Sequence, residues 1–253
     1  MKRFEGKVAL VTGATNGIGR ATAVRLAAEG ALVAVNQRPS GDPSTTLSEI
    51  REAGGEGFPV VADMSEPGQI VDMVGEVARQ GGRIDYLVSN AAINPFMPWN
   101  ETTLEQWDLI CNTNLRGTWI VTTETAKQMV AEGHGGAIVC VSSISAHVGA
   151  PYQTAYCATK GGISMLAKAL GTVLGAHGIR VNCIEPGTVL TNMSSPKEPD
   201  VLQYYLDRVA LHRIGRPEEM AGTIAFLLSE DASYVTSATL LADGGFVVNA
   251  ELI

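Results

Sequence analysis

Tyr156 and Lys160 stand four residues apart in the segment Tyr156-Cys157-Ala158-Thr159-Lys160. On a helix that spacing puts both side chains on one face. A phenol titrates at about 10 and is a poor base at neutral pH. An ammonium group beside it favours the phenolate and brings it toward working range. Such a pair can take a proton from a hydroxyl, or return one to an oxygen. The same spacing also occurs as a plain polar pair on helix surfaces. Ser143 adds weight to the chemical reading, because it lies thirteen residues before Tyr156 at the end of a strand-like run. Its hydroxyl can donate to an oxygen on which charge develops, or it can cap the end of a strand.

A second constellation lies near the start of the chain. The apolar run 7–12 leads into Thr12-Gly13-Ala14-Thr15-Asn16-Gly17-Ile18-Gly19, where a helix begins. Glycines permit a tight turn and close backbone approach, and a helix N-terminus offers free N–H groups to a phosphate. Strand, glycine cluster, helix and second strand follow one another as a dinucleotide site requires. The second strand closes with Asn36-Gln37-Arg38. A site for NAD places an acid there to bind the ribose 2′-hydroxyl, and none is present. Arg38 can instead pair its planar fork with a 2′-phosphate, which favours NADP or dual use; the alternative is a solvated loop cation. Asp63-Met64 follows the third strand, and Ser89-Asn90-Ala91-Ala92 follows the fourth. Asp63 has two compatible readings, as acceptor of the adenine amino group and as N-cap of the next helix.

These groups need a scaffold that brings strand ends together. Apolar runs at 7–12, 32–36, 57–62, 86–89, 137–141, 179–184 and 239–242 read as strands. Helical spacing marks 18–29, 45–53, 66–80, 102–132, 153–177 and 217–228. Gly30, Gly54-Gly55, Gly81-Gly82 and Gly178 close four of these helices. Thr102 and Glu105 read as a capping box opening the long helix 102–132. The alternation predicts a parallel seven-stranded sheet, doubly wound, with helices on both faces. One irregular connection, 187–216, carries Pro196 and Pro199 and a short helical piece near 200–209. A connection of that length reads as a binding loop or lid over 188–216.

Composition narrows the function classes. The chain has 253 residues and a formal net charge of −8, with only 18 Lys and Arg. Dispersed cations at that balance argue against nucleic-acid binding. No apolar run approaches the roughly 20 residues of a membrane span. The start Met1-Lys2-Arg3-Phe4-Glu5-Gly6 does not read as a secretion signal. Cys111, Cys140, Cys157 and Cys183 form no C-x-x-C pair and read as reduced, buried thiols of a cytoplasmic protein. The histidines are scattered, and no metal-ligating cluster is visible.

Taken together, the motifs resemble those of the short-chain dehydrogenase/reductase family, over the whole chain. They are Thr12 to Gly19, Asp63, Ser89 to Ala92, Asn114, Ser143, Tyr156 with Lys160, and Pro186-Gly187. The resemblance implies an α/β single-domain Rossmann fold over 1–253 and a nicotinamide cofactor, NADP with dual NAD(P) use. It implies Tyr156 as general acid/base, Lys160 as its pKa partner and ribose contact, and Ser143 orienting the substrate oxygen. Asn114, chosen over Asn112 for its Asn-Leu-x-Gly setting, would hold a proton-relay water. The implied cofactor contacts are Gly13, Thr15, Asn16, Gly17, Ile18, Gly19, Gln37, Arg38, Asp63, Met64, Asn90, Ala91, Ala92, Pro186, Gly187, Val189 through its main chain, and Thr191. One departure is Ala92, where the family commonly has glycine.

Substrate residues are expected off these motifs. Phe96, Ser145, Gln153 and Asn192 offer a flat wall and polar groups, with Asn94, Trp99 and His147 nearby. A sugar ring has that combination of apolar faces and polar edges. Phe96 and Trp99 have the alternative of packing on the long helices. Segments such as Ala92 to Phe96, Val141 to Ala146 and Glu185 to Thr188 are similar to those of bacterial aldose 1-dehydrogenases, L-rhamnose-oxidising ones among them. That similarity implies hydride removal from C1 of an aldopyranose and a 1,5-lactone product. The alternatives are a 3-oxoacyl-thioester reductase with Arg116 and Lys127 facing an acidic carrier, and a non-catalytic NADP sensor. Small residues along 153–177, such as Ala158, Gly161 and Gly162, suit helix pairing between subunits, and relatives are commonly tetramers; the same residues also suit packing on the sheet.

Overall fold

Seven short apolar runs pair side by side as parallel strands: β1 (Val8–Val11), β2 (Leu32–Gln37), β3 (Glu56–Val61), β4 (Tyr86–Ser89), β5 (Gly136–Val141), β6 (Ile179–Pro186) and β7 (Thr239–Ala242). The computed structural model describes residues 2–193 and 198–249. The strand order is β3-β2-β1-β4-β5-β6-β7. Strands covered on both faces read as continuous apolar runs, and every residue of β1 and β4 is buried.

Alternate strand residues face two separate cores. Ala9, Val11, Val33 and Val35 pack with Leu26 of α1 (Gly17–Ala28), Ile50 of α2 (Ser44–Glu52) and Ile224 of α8 (Pro217–Leu228). Val8, Leu10, Leu87 and Ile138 pack with Ile70 of α3 (Pro67–Gly81), Val121 of α5 (Gly117–Glu132) and Ile163 of α6 (Thr154–Leu174). The chain leaves one edge at β3 and re-enters beside β1 as β4. The winding reverses there, and a crevice opens at the carboxyl ends of the strands. Among the described residues no helix is long and apolar enough to cross a membrane.

The opposite edge is tied by one buried carboxylate. Asp85 accepts Val8 N–H at 2.9 Å, Arg83 Nε at 2.9 Å and Lys7 Nζ at 3.3 Å. It holds the amino ends of β1 and β4 together.

Two expectations change. The capping box is Thr103 with Gln106, not Thr102 with Glu105. The Thr102 hydroxyl instead donates to the Pro98 carbonyl at 3.1 Å, so the helix starts one residue later. The helix expected over 102–132 is α4 (Leu104–Ile110), a π-helical stretch (Cys111–Arg116) and α5. A π turn inserts an extra residue and often marks a functional site. Gly117, just beyond it, allows close approach: a Cβ there would stand 2.3 Å from the Met64 carbonyl oxygen.

The long connection is closed at its base. Gly215 N–H donates to Thr188 O at 3.0 Å and Leu190 N–H to Gly215 O at 2.9 Å. Its helical piece is α7 (Pro199–Arg208). Pro196 lies outside the described residues.

Candidate active site

The glycine turn sits at the carboxyl end of β1. Gly13 and Gly17 hold φ of +63° and +52°, which a side chain would strain. A Cβ at Gly19 would lie 2.2 Å from the Gly13 carbonyl oxygen, so the turn closes only over a bare Cα. Asn16 occupies the N-cap of α1 without a side-chain cap bond. Neighbouring strand ends brace the turn. Asn36 Oδ1 accepts Gly13 N–H at 3.1 Å, and Asn90 Nδ2 donates to Thr12 O at 3.0 Å and Gly13 O at 3.2 Å. Thr12 Oγ1 accepts the Asn90 and Ala91 N–H groups. Arg20 reaches back to the Thr15 carbonyl at 2.6 Å. Thr191 closes over the turn, with its methyl carbon 3.1 Å from where a Gly17 Cβ would be.

The residues expected further along the crevice fall into two groups. Ile18 lies in the first turn of α1 and packs against the core, Ala92 follows β4, Pro186 closes β6, and Gly187 N–H bonds Ala242 O at 3.1 Å. A Cβ on Gly187 would meet Asp243 Cα at 2.7 Å. Val189 is buried in the core, and its backbone bridges to Gly215 at the base of the long connection. Arg38 is exposed, and the Gln37 Oε1 atom is buried without a partner. Asp63 caps no helix: its Oδ1 accepts Ser65 N–H at 2.8 Å and Ser65 Oγ at 2.7 Å, and Glu66 is the N-cap of α3. Met64 is buried, beside Gly117.

Ser143, Tyr156 and Lys160 converge at the carboxyl end of β5. Ser143 caps a short 3₁₀ turn and accepts Ser145 N–H at 3.1 Å. Its hydroxyl interacts with the Tyr156 phenol and favours ionisation. Lys160 Nζ donates to Val141 O at 2.8 Å and lies 5.4 Å from the Tyr156 ring centroid. Burial dominates both groups, pushing Tyr156 up to about 12 and Lys160 down to about 8. The Ser143 hydroxyl opposes that rise, but desolvation outweighs it, so the phenol stays above its ordinary value instead of moving toward neutral as the spacing suggested. Asn114 lies on the π-helical stretch, fully buried. Its amide exchanges two bonds with the Ile93 backbone, at 2.8 and 2.9 Å, and reaches Thr159 Oγ1 at 3.3 Å.

A family model described as enoyl-(acyl carrier protein) reductase matches residues 13–247. The L-rhamnose 1-dehydrogenase (NAD(P)(+)) of Sphingomonas sp. strain SKA58 is 42% identical over 99% of this chain and 100% of its own length. Other relatives of that enzyme name match at 34 to 39% identity. A 3-oxoacyl-acyl-carrier-protein reductase of Thermotoga maritima is 37% identical over 97% of this chain and 100% of its own. The crystal structure of a short-chain type dehydrogenase/reductase from Mycobacterium marinum superposes with a TM-score of 0.92, at 34% identity, covering 96% of each chain. The chain belongs to the short-chain dehydrogenase/reductase family.

Around this short-chain dehydrogenase/reductase site the substrate candidates are spread. Ser145 and Gln153 bracket the loop joining Ser143 to α6. Phe96 and Trp99 project into solvent, 62% and 78% exposed, rather than packing on the helices. Asn192 is exposed, and Asn94 Oδ1 is buried without a partner. Sequence reading missed Asn36, Arg20, Ser142, Ser164 and Glu185 as supporting residues. Asn36 stood in a segment already read for its charge, and Arg20 bonds a backbone carbonyl five residues back, which no residue type announces; Ser142, Ser164 and Glu185 carry no spacing signal, because their partners are remote in sequence.

Proposed function

We propose that the chain oxidises an L-rhamnose-like aldopyranose at C1 with NAD(P), giving a 1,5-lactone. The observation that carries this reading is the full-length 42% identity to an L-rhamnose 1-dehydrogenase, on a chain that brings Ser143, Tyr156 and Lys160 together. The glycine cradle and the unpartnered Gln37 Oε1 fit a dinucleotide. When bound, NAD(P) supplies the hydride acceptor. Tyr156 takes the proton of the anomeric hydroxyl as the C1–H bond gives up its hydride and C1=O forms. Lys160 opposes the charge on the phenolate and holds ribose hydroxyls. Ser143 donates to the reacting oxygen, a contact of a kind worth about 10²–10³ in rate. Asn114 holds the relay water by its main-chain carbonyl, since its amide is already bonded. Arg38 meets the 2′-phosphate of NADP. Phe96, Ser145, Gln153 and Asn192 bound the sugar, and the 188–216 connection covers it.

The test follows cofactor reduction, with NADP and NAD in parallel, on L-rhamnose, L-fucose, L-lyxose and D-glucose. Turnover on L-rhamnose is expected, and Tyr156→Phe is expected to lose it while retaining NADP binding. Inertness on every sugar, with NADPH oxidised by an acetoacetyl thioester, would move the protein to the reductase reading that the Thermotoga relative favours. Against that reading, Arg116 is bonded to Ser65 O and Lys127 to Glu124. A homotetramer is also proposed, because Trp119 on α5 and Met165 and Val173 on α6 are exposed apolar groups on the paired helices. Of the small residues, Ala155 and Ala167 are buried, while Ala158 and Ala169 are exposed. The proposed compartment is the cytoplasm, in keeping with four free thiols, of which Cys140 and Cys183 are buried and Cys111 and Cys157, against expectation, are only partly so.

A further inference from the structure

β6 ends in Glu185-Pro186, and the Glu185 carboxylate is fully buried. Ser164 of α6 donates to its Oε1 at 2.5 Å, and His147 Nε2 meets its Oε2 at 2.5 Å. Behind Ser164 stands Ser142, whose hydroxyl lies 2.9 Å from Ser164 Oγ and 2.8 Å from the Lys160 carbonyl oxygen. A buried carboxylate is unfavourable unless it is paired and hydrogen-bonded. Among the described residues, His147 is the only group bonded to Glu185 that can carry positive charge. It comes from the loop that joins Ser143 to α6. Most of the loop's other hydrogen bonds close turns within it, among them His147 N–H and Val148 N–H on Ile144 O and Gln153 N–H on Ala150 O; outward, Met97 N–H donates to Tyr152 O at 2.9 Å. It also contains Tyr152 at φ +66°, a strained conformation that persists only where surrounding contacts enforce it.

We infer that Glu185 is a positioning residue. Its need for a partner draws His147 inward and so fixes the 144–153 loop, with Ser145 and Gln153, beside the reaction centre. The same carboxylate reaches the catalytic helix through Ser164, so one side chain registers the loop against Tyr156 and Lys160. The inference rests on the reading of Ser143 and Tyr156 as the reaction centre, and it predicts an effect on binding of the sugar rather than on the chemical step.

The test compares wild type, His147→Ala, His147→Gln and the pair Glu185→Leu with and without His147→Ala. His147→Ala should raise the KM for L-rhamnose about tenfold with kcat within about threefold, the signature of lost uniform binding. His147→Gln keeps a donor at similar reach and should recover most of that loss. In the Glu185→Leu background His147→Ala should add nothing, since coupled residues are not additive. Hydrogen exchange of the 144–153 amides should quicken about tenfold in His147→Ala and stay near wild type in His147→Gln. Unchanged KM and exchange in His147→Ala, or equal losses in the Ala and Gln variants, would overturn the inference. If Glu185→Leu does not fold, the Ala and Gln variants still decide. If wild type is inert on every sugar, the sugar reading fails, and the exchange data decide this inference by themselves.

Discussion

The Lys160 ammonium nitrogen lies 5.4 Å from the centroid of the Tyr156 ring and donates to the Val141 carbonyl oxygen at 2.8 Å. Both side chains are buried. The relationship sets two opposing demands. Catalysis needs phenolate and ammonium together, whereas burial favours neutral phenol and neutral amine. The fold carries a destabilised pair at the point where chemistry requires charge.

Lys160→Met should therefore abolish turnover and stabilise the fold. Lowering the lysine from 10.5 to about 8 corresponds to roughly 3 kcal/mol at neutral pH, at about 1.4 kcal/mol per unit. Between about pH 8 and 10.5 the unfolded chain binds more protons at this site, so its contribution makes wild-type stability rise with pH there. Tyr156 acts in the opposite sense above about pH 10, where the folded chain keeps the proton longer. Thermal midpoints across pH should show the rise between 8 and 10 in wild type and a flatter curve in the variant.

Ser143→Ala should do more than slow the reaction. Ser143 favours the ionised form of Tyr156, so its loss pushes the phenol still higher. Sugar oxidation needs the phenolate and should accelerate with pH in wild type. In the variant kcat should fall about 10²- to 10³-fold, and the rising limb of the pH profile should move to higher pH. A fall in rate with an unmoved limb would limit Ser143 to substrate orientation.

Arg38→Ala should separate the two cofactors. The exposed guanidinium has no role in holding β2, whose end is tied by Asn36 to Gly13, Gln37 and Ala62. Its loss should raise the KM for NADP about tenfold and leave that for NAD unchanged, because only NADP carries the 2′-phosphate. Equal effects on both would return Arg38 to the role of a solvated cation.

Asp85→Ala should cost stability without touching specificity. It orphans the buried Val8 N–H and releases Lys7 and Arg83 at the amino edge of the sheet, away from the crevice. A loss of about 2 kcal/mol is expected, read as a lower urea midpoint with KM values unchanged. Asp85→Asn keeps an acceptor for Val8 and should lose less.

Much of the fold was legible because its signals are local. Continuous apolar runs give buried parallel strands whatever lies around them, and Gly82 and Gly178 end helical segments with left-handed residues wherever they stand. Where two local signals competed, sequence could not choose. Thr102 with Glu105 and Thr103 with Gln106 have the same capping spacing, and the Pro98 carbonyl decided between them. The π-helical stretch at Asn114 was invisible for a similar reason: it answers to contacts with Ile93 and Met64 rather than to propensity.

By itself the sequence determined the strand–helix alternation, the glycine turn, and the pairing of Tyr156 with Lys160 at helical spacing. Those properties depend on residues a few positions apart. Tertiary structure decided how that pair is charged, what braces the turn, and what anchors the loop beside Tyr156. Burial reverses the sign of the expected phenol shift. Asn36 reaches the turn from β2 and Asn90 from just past the end of β4, and Glu185 reaches His147 across 38 residues of chain. Desolvation and hydrogen bonds between remote segments exist only once the sheet has assembled, so no local pattern could announce them.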